Sequence, residues 1–153
     1  MTEQEMWSTF CSENHIATDT PYEAWAFCGG GPFADALTAL VLEGTKTATA
    51  SALIAYETEG DPVPQPGCYS VILYDDKTAA GVIRDTKVSL VPFNEVSEEH
   101  AYKEGEGDRS LAYWKEVHKR FFTPDYAAAG LEFDEKGICV LEEFELVYPK
   151  INT

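Results

Sequence analysis

The placing of strand-like and helix-like patterns limits this chain to few architectures. Tyr69 to Tyr74 is a short apolar run and reads as a strand, and Ala80 to Val91, after the turn signal Asp75-Asp76-Lys77, reads as another strand or two. Ile138 to Tyr148 reads as a long strand, with Phe144, Leu146 and Tyr148 alternating against Glu143 and Glu145. Helical patterns flank these runs. Thr2 caps a first helix with Glu5 at capping-box spacing, and Met6, Trp7, Phe10 and Cys11 share its apolar face. Asn14 to Phe27 reads as irregular. Gly29-Gly30-Gly31-Pro32 then leads into a second helix, with Phe33, Leu37, Leu40 and Val41 on its apolar face and Gly44 as its stop. Pro62, Pro64 and Pro66 make the stretch from Gly60 to Gly67 a surface loop. Ser97 caps a short helix, and Leu111, Trp114, His118 and Phe121 or Phe122 mark a further amphipathic one.

The order is helices, strands, helices and a last strand, not the repeated β-α-β alternation of a parallel sheet. An α+β fold is expected, built round a mainly antiparallel sheet or small mixed barrel, with Ile138 to Tyr148 inside the sheet. With 153 residues, no repeat and no long linker, residues 1–153 read as one domain, of which 1–20 form an N-terminal helical extension.

Charge narrows the partners. Eleven Lys and Arg against 27 Asp and Glu leave a net charge of −16, with a pI near 4.4. Such a surface repels the phosphates from which long nucleic acids draw most of their affinity, so generic RNA or DNA binding is expected to be weak or absent. A small, weakly charged ligand is the easier partner. No apolar run is long enough for a membrane span, and the opening Met1-Thr2-Glu3-Gln4-Glu5 lacks a basic signal front, so a cytoplasmic protein is expected. Cys11, Cys28, Cys68 and Cys139 are scattered, without a CxxC pair, and read as buried free thiols. His15, His100 and His118 show no ligand spacing, so neither a metal nor a cofactor is expected; His118 reads as a hydrogen-bonded core or interface residue.

Gly44-Thr45-Lys46-Thr47-Ala48-Thr49 follows a helix end and lacks the spacing and context of a phosphate-binding loop. By itself Lys46 reads as a solvated lysine beside a helix C-terminus, where a cation is favoured. Trp25 and Phe27 offer ring faces that could stack on a base, or could simply cover one end of the barrel. Arg109 could contact an anionic group or be an exposed arginine at a helix start.

The segment Phe33 to Glu43 with Gly44-Thr45-Lys46-Thr47-Ala48-Thr49 resembles the G-x-K-x-x-T signature of the ASCH superfamily. Pro66-Gly67 before a strand, a strand near Gly81, and Glu99 to Asp108 followed by Ser110-Leu111 and Trp114 extend the likeness over roughly 22–148, towards a larger bacterial subgroup without assigned function. The resemblance implies a PUA-like barrel with a cleft flanked by helices. In small ASCH enzymes that deacetylate N4-acetylcytidine, a Lys, a Thr three residues later and a distant Glu act together. Lys46 and Thr49 match the first two, and Glu104 matches the third through His100-Ala101-x-x-Glu104. Many members carry Arg where this chain has Ser51, so the substrate contact of that Arg is absent or is supplied elsewhere.

The implied activity is hydrolysis of an acylated nucleoside or similar small amide. Thr49 is the nucleophile, Lys46 the base that takes its proton, and Glu104 orients the lysine or shuttles a proton to the leaving amine. Trp25, Phe27, Ser51 and Arg109 are the candidate substrate contacts. Two other classes compete: a module that binds RNA or a modified nucleotide without chemistry, and a ribonuclease. The net charge weighs against both RNA readings.

Overall fold

A computed structural model of the chain describes residues 1–150. Along it run α1 (Glu3–Asn14), β1 (Tyr22–Ala26), α2 (Ala34–Leu42), β2 (Ala48–Ala52), α3 (Leu53–Glu59), β3 (Tyr69–Leu73), β4 (Ala79–Pro92), α4 (Glu98–Glu104), α5 (Leu111–Ala128) and β5 (Ile138–Tyr148). The strands are ordered β1-β3-β4-β5-β2. β1 is parallel to β3, whereas β3 pairs with β4, and β2 with β5, in antiparallel fashion. The class is α+β with a mainly antiparallel sheet, as the order of patterns requires. The alternating segment Ile138–Tyr148 lies within that sheet, between β4 and β2. No helix is long and apolar enough to cross a membrane among the described residues.

The chain divides into two compact units. The first comprises Met1–Thr45, Pro66–Thr86 and the chain from Phe144 onward. Here the α1 capping box forms in both directions, with the Glu5 N–H donating to Thr2 Oγ1 at 3.1 Å and the Thr2 N–H donating to Glu5 Oε1 at 3.0 Å. Met6, Trp7, Phe10 and Cys11 then pack against Val71, Leu73, Ala79 and Val82. A second cluster joins Phe27, Val41, Ile72, Ala80, Ile83 and Phe144. Two expectations are corrected in this unit. The stretch read as irregular contains β1, a five-residue strand too short to show a period and bounded by the turn chemistry of Asp19 to Pro21. α2 buries Ala34, Thr38 and Val41, while Phe33 stands outside the first turn as the N-cap residue and is 70% exposed.

The second unit comprises Lys46–Gln65 and Lys87–Glu143. In β2, Ala48, Ala50 and Ala52 are buried, whereas Thr49 and Ser51 are half-buried, the alternation expected of a strand. α3, α4 and α5 lie against β2. The core joins Ala50, Ala52, Phe93, Val96, Ala101, Trp114, Phe122, Tyr126, Cys139 and Leu141. α5 buries Trp114, His118, Phe122 and Tyr126, four positions at one-turn spacing, and leaves Phe121 exposed.

All four cysteines are free, but only Cys11 and Cys139 are buried. The expectation of buried thiols fails for Cys28 and Cys68. Cys28 occupies a left-handed turn at φ 57° before the glycine run, and Cys68 directly follows the proline-rich loop; both are surface segments.

Candidate functional site

Lys46 precedes β2, and its side chain is buried in the second unit at 1% exposure. A buried ammonium must find acceptors. Nζ donates to the Ala48 carbonyl at 2.8 Å, the Glu104 carbonyl at 3.4 Å, Glu104 Oε1 at 3.3 Å and Glu106 Oε2 at 2.9 Å. A backbone bond fixes the same approach, with the Thr47 N–H donating to the Lys103 carbonyl at 2.8 Å. Lys46 therefore serves the C-terminal turn of α4, where free carbonyls welcome a cation. This corrects the picture of a solvated lysine.

Glu104 is 1% exposed and ends α4. Its two oxygens face four donors. Oε1 meets Lys46 Nζ and, at 3.4 Å, His118 Nε2. Oε2 meets His100 Nε2 at 2.8 Å and accepts from Trp114 Nε1. Helical spacing supplies this shell: His100 stands one turn before Glu104 on α4, and Trp114 and His118 are one turn apart on α5, their rings stacked at 4.1 Å. Burial opposes the charge on Glu104. The Lys46 ammonium and then His118, with the hydrogen bonds of both histidines, overcome that penalty and hold the carboxyl well below the usual carboxylate range.

The state of His118 follows from its partners. Nδ1 faces the Trp114 carbonyl at 2.8 Å, which can only accept, and Nε2 faces a carboxylate. An imidazole with acceptors at both nitrogens is best satisfied as imidazolium. Burial disfavours that charge, but the Glu104 carboxylate, the Trp114 carbonyl and Glu106 outweigh it, so the pKa of His118 is raised. The centre thus sets two cations, Lys46 and His118, against two carboxylates, Glu104 and Glu106. Beside them, burial and Glu104 push the Cys139 thiol up to about 12, which keeps it inert as a nucleophile. Glu104, Glu106 and His118 each place one ligand atom within 4.8 Å of the others and so could also hold a metal ion, but the Lys46 ammonium already contacts both carboxylates.

Of the three residues expected to share chemistry, the fold brings Lys46 and Glu104 together across 58 positions. Thr49 stands on the half-buried side of β2, opposite Glu142 of β5. It follows directly after the carbonyl that Lys46 grips, yet no hydrogen bond among the described residues joins its hydroxyl to Lys46 or Glu104. Ser51 Oγ lies 2.9 Å from the Tyr56 hydroxyl. Arg109, at φ 65°, lays its guanidinium 3.6 Å from the Tyr102 ring centre and donates from Nε to the Tyr102 carbonyl. Trp25 and Phe27 belong to the first unit. Phe27 is a core residue there, and half-buried Trp25 sets its ring edge-on to it at 4.9 Å. Glu106, His100, Trp114 and His118 were not among the expected site residues.

The segments that hold this charged centre, Lys46 with β2 and residues 98–128, fall within the range covered by a family match. The model of the ASCH domain family fits residues 23–148. The chain belongs to the ASCH domain family. An ASCH domain from Lactobacillus crispatus JV V101 is 34% identical and superposes with a TM-score of 0.84 over 94% of this chain and 95% of that one. A protein from Enterococcus faecalis V583 is also 34% identical, with a TM-score of 0.84 over 95% of this chain and 89% of that chain. A hypothetical protein at 15% identity and a TM-score of 0.54 shares the fold alone. No curated protein matches the sequence. For this ASCH domain, then, family and fold are established, and the chemistry rests on its site.

Proposed function

We propose that this ASCH domain hydrolyses a small amide on a weakly charged, nucleoside-like scaffold, using Lys46, Glu104 and Thr49. The observation that carries the reading is the 3.3 Å approach of Lys46 Nζ to Glu104 Oε1 in a buried centre. Every partner of Nζ described above accepts a hydrogen bond, so the nitrogen acts here as a donor. That moves its role from the expected base to a fixed positive charge at the amide oxygen as it becomes an oxyanion. Glu104 holds Lys46 in place. Thr49 supplies the attacking hydroxyl, whose proton ends on the leaving amine, and water then resolves the acyl ester. The net charge of −16 fits a small substrate better than a polynucleotide.

A second reading, a binding module without chemistry, is favoured by one observation: four donors already occupy the Glu104 carboxylate. A panel of acylated nucleosides and simple amides separates the two. Product formation by the wild type that disappears in Lys46→Ala and in Thr49→Val supports the hydrolase. Thr49→Val is the cleaner probe, because it leaves the buried charges balanced. A rise in melting temperature with such compounds, and no product, makes the protein a binding module.

A further inference from the structure

Glu106 differs from the rest of the charged centre. Its side chain is 16% exposed, against 1% for Lys46 and Glu104. It stands in the loop between α4 and α5, whereas Glu104, His100, Trp114 and His118 are all fixed on helices. Gly105 and Gly107 flank it with φ of 74° and 59°, left-handed conformations that turn the chain back over Lys46. Among the described residues, its carboxylate takes one hydrogen bond, from Lys46 Nζ at 2.9 Å, and that is shorter than the bond from Nζ to Glu104 Oε1. The innermost cation of the centre is therefore covered by a partly exposed oxygen acceptor on a loop.

Take Glu106 away and the charges that remain are Lys46 and His118 against Glu104, an excess of one positive charge in a buried setting. Such a site favours one negative charge or a strongly polarised oxygen. We propose that Glu106 is a built-in stand-in for the ligand: a carboxylate or amide-derived oxygen binds Lys46 by displacing the Glu106 carboxylate outward. This rests on the reading of the Lys46 centre as the substrate site and specifies what the site accepts. An acyl group enters with its oxygen toward Nζ, and the carboxylic acid released by hydrolysis is the natural occupant afterwards. Glu106 then tunes affinity by competing with that oxygen, and turnover benefits because the product acid is driven out as Glu106 returns.

The probe is acetate, titrated at constant ionic strength against the full chain and followed by the indole N–H resonance of Trp114. That N–H donates to Glu104, and Trp7 and Trp25 serve as internal references. Removing the competitor in Glu106→Ala should tighten acetate binding by at least about tenfold, the worth of one charge-assisted hydrogen bond no longer in competition. Glu106→Gln should fall between Glu106→Ala and the wild type, and it carries the test alone should Glu106→Ala not fold. Equal affinity in wild type and variant, or a Trp114 signal that acetate does not move in the variant, overturns the proposal. The test is independent of turnover. Acetate binding in a protein inert toward every amide removes the hydrolase reading and leaves displacement standing, whereas amide turnover with no acetate response removes displacement alone.

Discussion

Glu104→Gln keeps the shape of the side chain and removes its charge, which makes it the sharpest probe of the buried centre. In the wild type the carboxylate receives Lys46, His118, His100 and Trp114. A carboxamide offers one oxygen, while its NH2 must face two of those donors, and two buried cations lose a counter-charge. Breaking a buried pair from one side costs about 3–5 kcal/mol, a large part of the roughly 5–15 kcal/mol that holds a typical domain. At about 2–4 °C per kcal/mol for a chain of this size, the melting temperature should fall by roughly 6–20 °C. Urea titration of both proteins near neutral pH measures the gap directly. Because the Glu104 carboxyl is depressed in the folded state, its contribution is complete above the ordinary glutamate value of about 4.3 and declines as pH falls toward the folded value. The gap between wild type and variant should therefore narrow in acid. A loss under about 1 kcal/mol at neutral pH, or a gap that stays constant down to about pH 3, would refute the account of Glu104 as the hub of the centre.

His118 has the opposite sign: its raised pKa gives a contribution that is full below the ordinary histidine value of about 6.5 and is lost as pH rises through the folded value. His118→Phe, which keeps a ring to stack on Trp114, should abolish that alkaline decline in urea midpoints; an identical decline in both proteins would assign it to another group. Gly107→Ala should destabilise by about 1–3 kcal/mol, because φ is +59° and a Cβ would lie 2.5 Å from the Tyr113 ring. Gly130→Ala, at φ +76° with open space around it, should cost only about 1 kcal/mol, and equal losses would mean that the Tyr113 contact yields freely. Generic single-stranded RNA should bind weakly at physiological salt in filter assays; tight binding with a steep salt slope would show a basic path across the surface.

The parts of the fold that were legible share one property: local chemistry agreed with the final packing. β5 was readable because alternation persisted through its second half, and α1 because Thr2 and Glu5 stand at capping spacing. β1 was not, since a five-residue edge strand takes its definition from hydrogen bonds to β3 that no local pattern announces. α3 was also missed; Leu53–Glu59 is seven residues long and buries none of them. At the site, Lys46 and Glu104 came from resemblance, not from spacing, because only tertiary folding joins residues 58 positions apart. Glu106 was hidden in an acidic run where most carboxylates are solvated. His100 and His118 lack metal-ligand spacing, and His118 reads from sequence only as a hydrogen-bonded core residue, which it is. Their helical offsets, four before Glu104 and four after Trp114, were the available signal, because such offsets put side chains on one face.

The alanines of β2 act as a gauge. With only a methyl group at 48, 50 and 52, the buried face of the strand offers α4 and α5 small side chains to pack on. Salt-bridge lengths tolerate a few tenths of an ångström, while a valine in place of Ala50 adds two carbons to that face. Such a change carries no charge and alters no proposed catalytic side chain, yet it would lift Glu104 and Trp114 away from Lys46 together. Activity here should thus be sensitive to the bulk of a residue that does no chemistry, and a library at Ala50 would read out, in side-chain volume, how much slack the centre can bear.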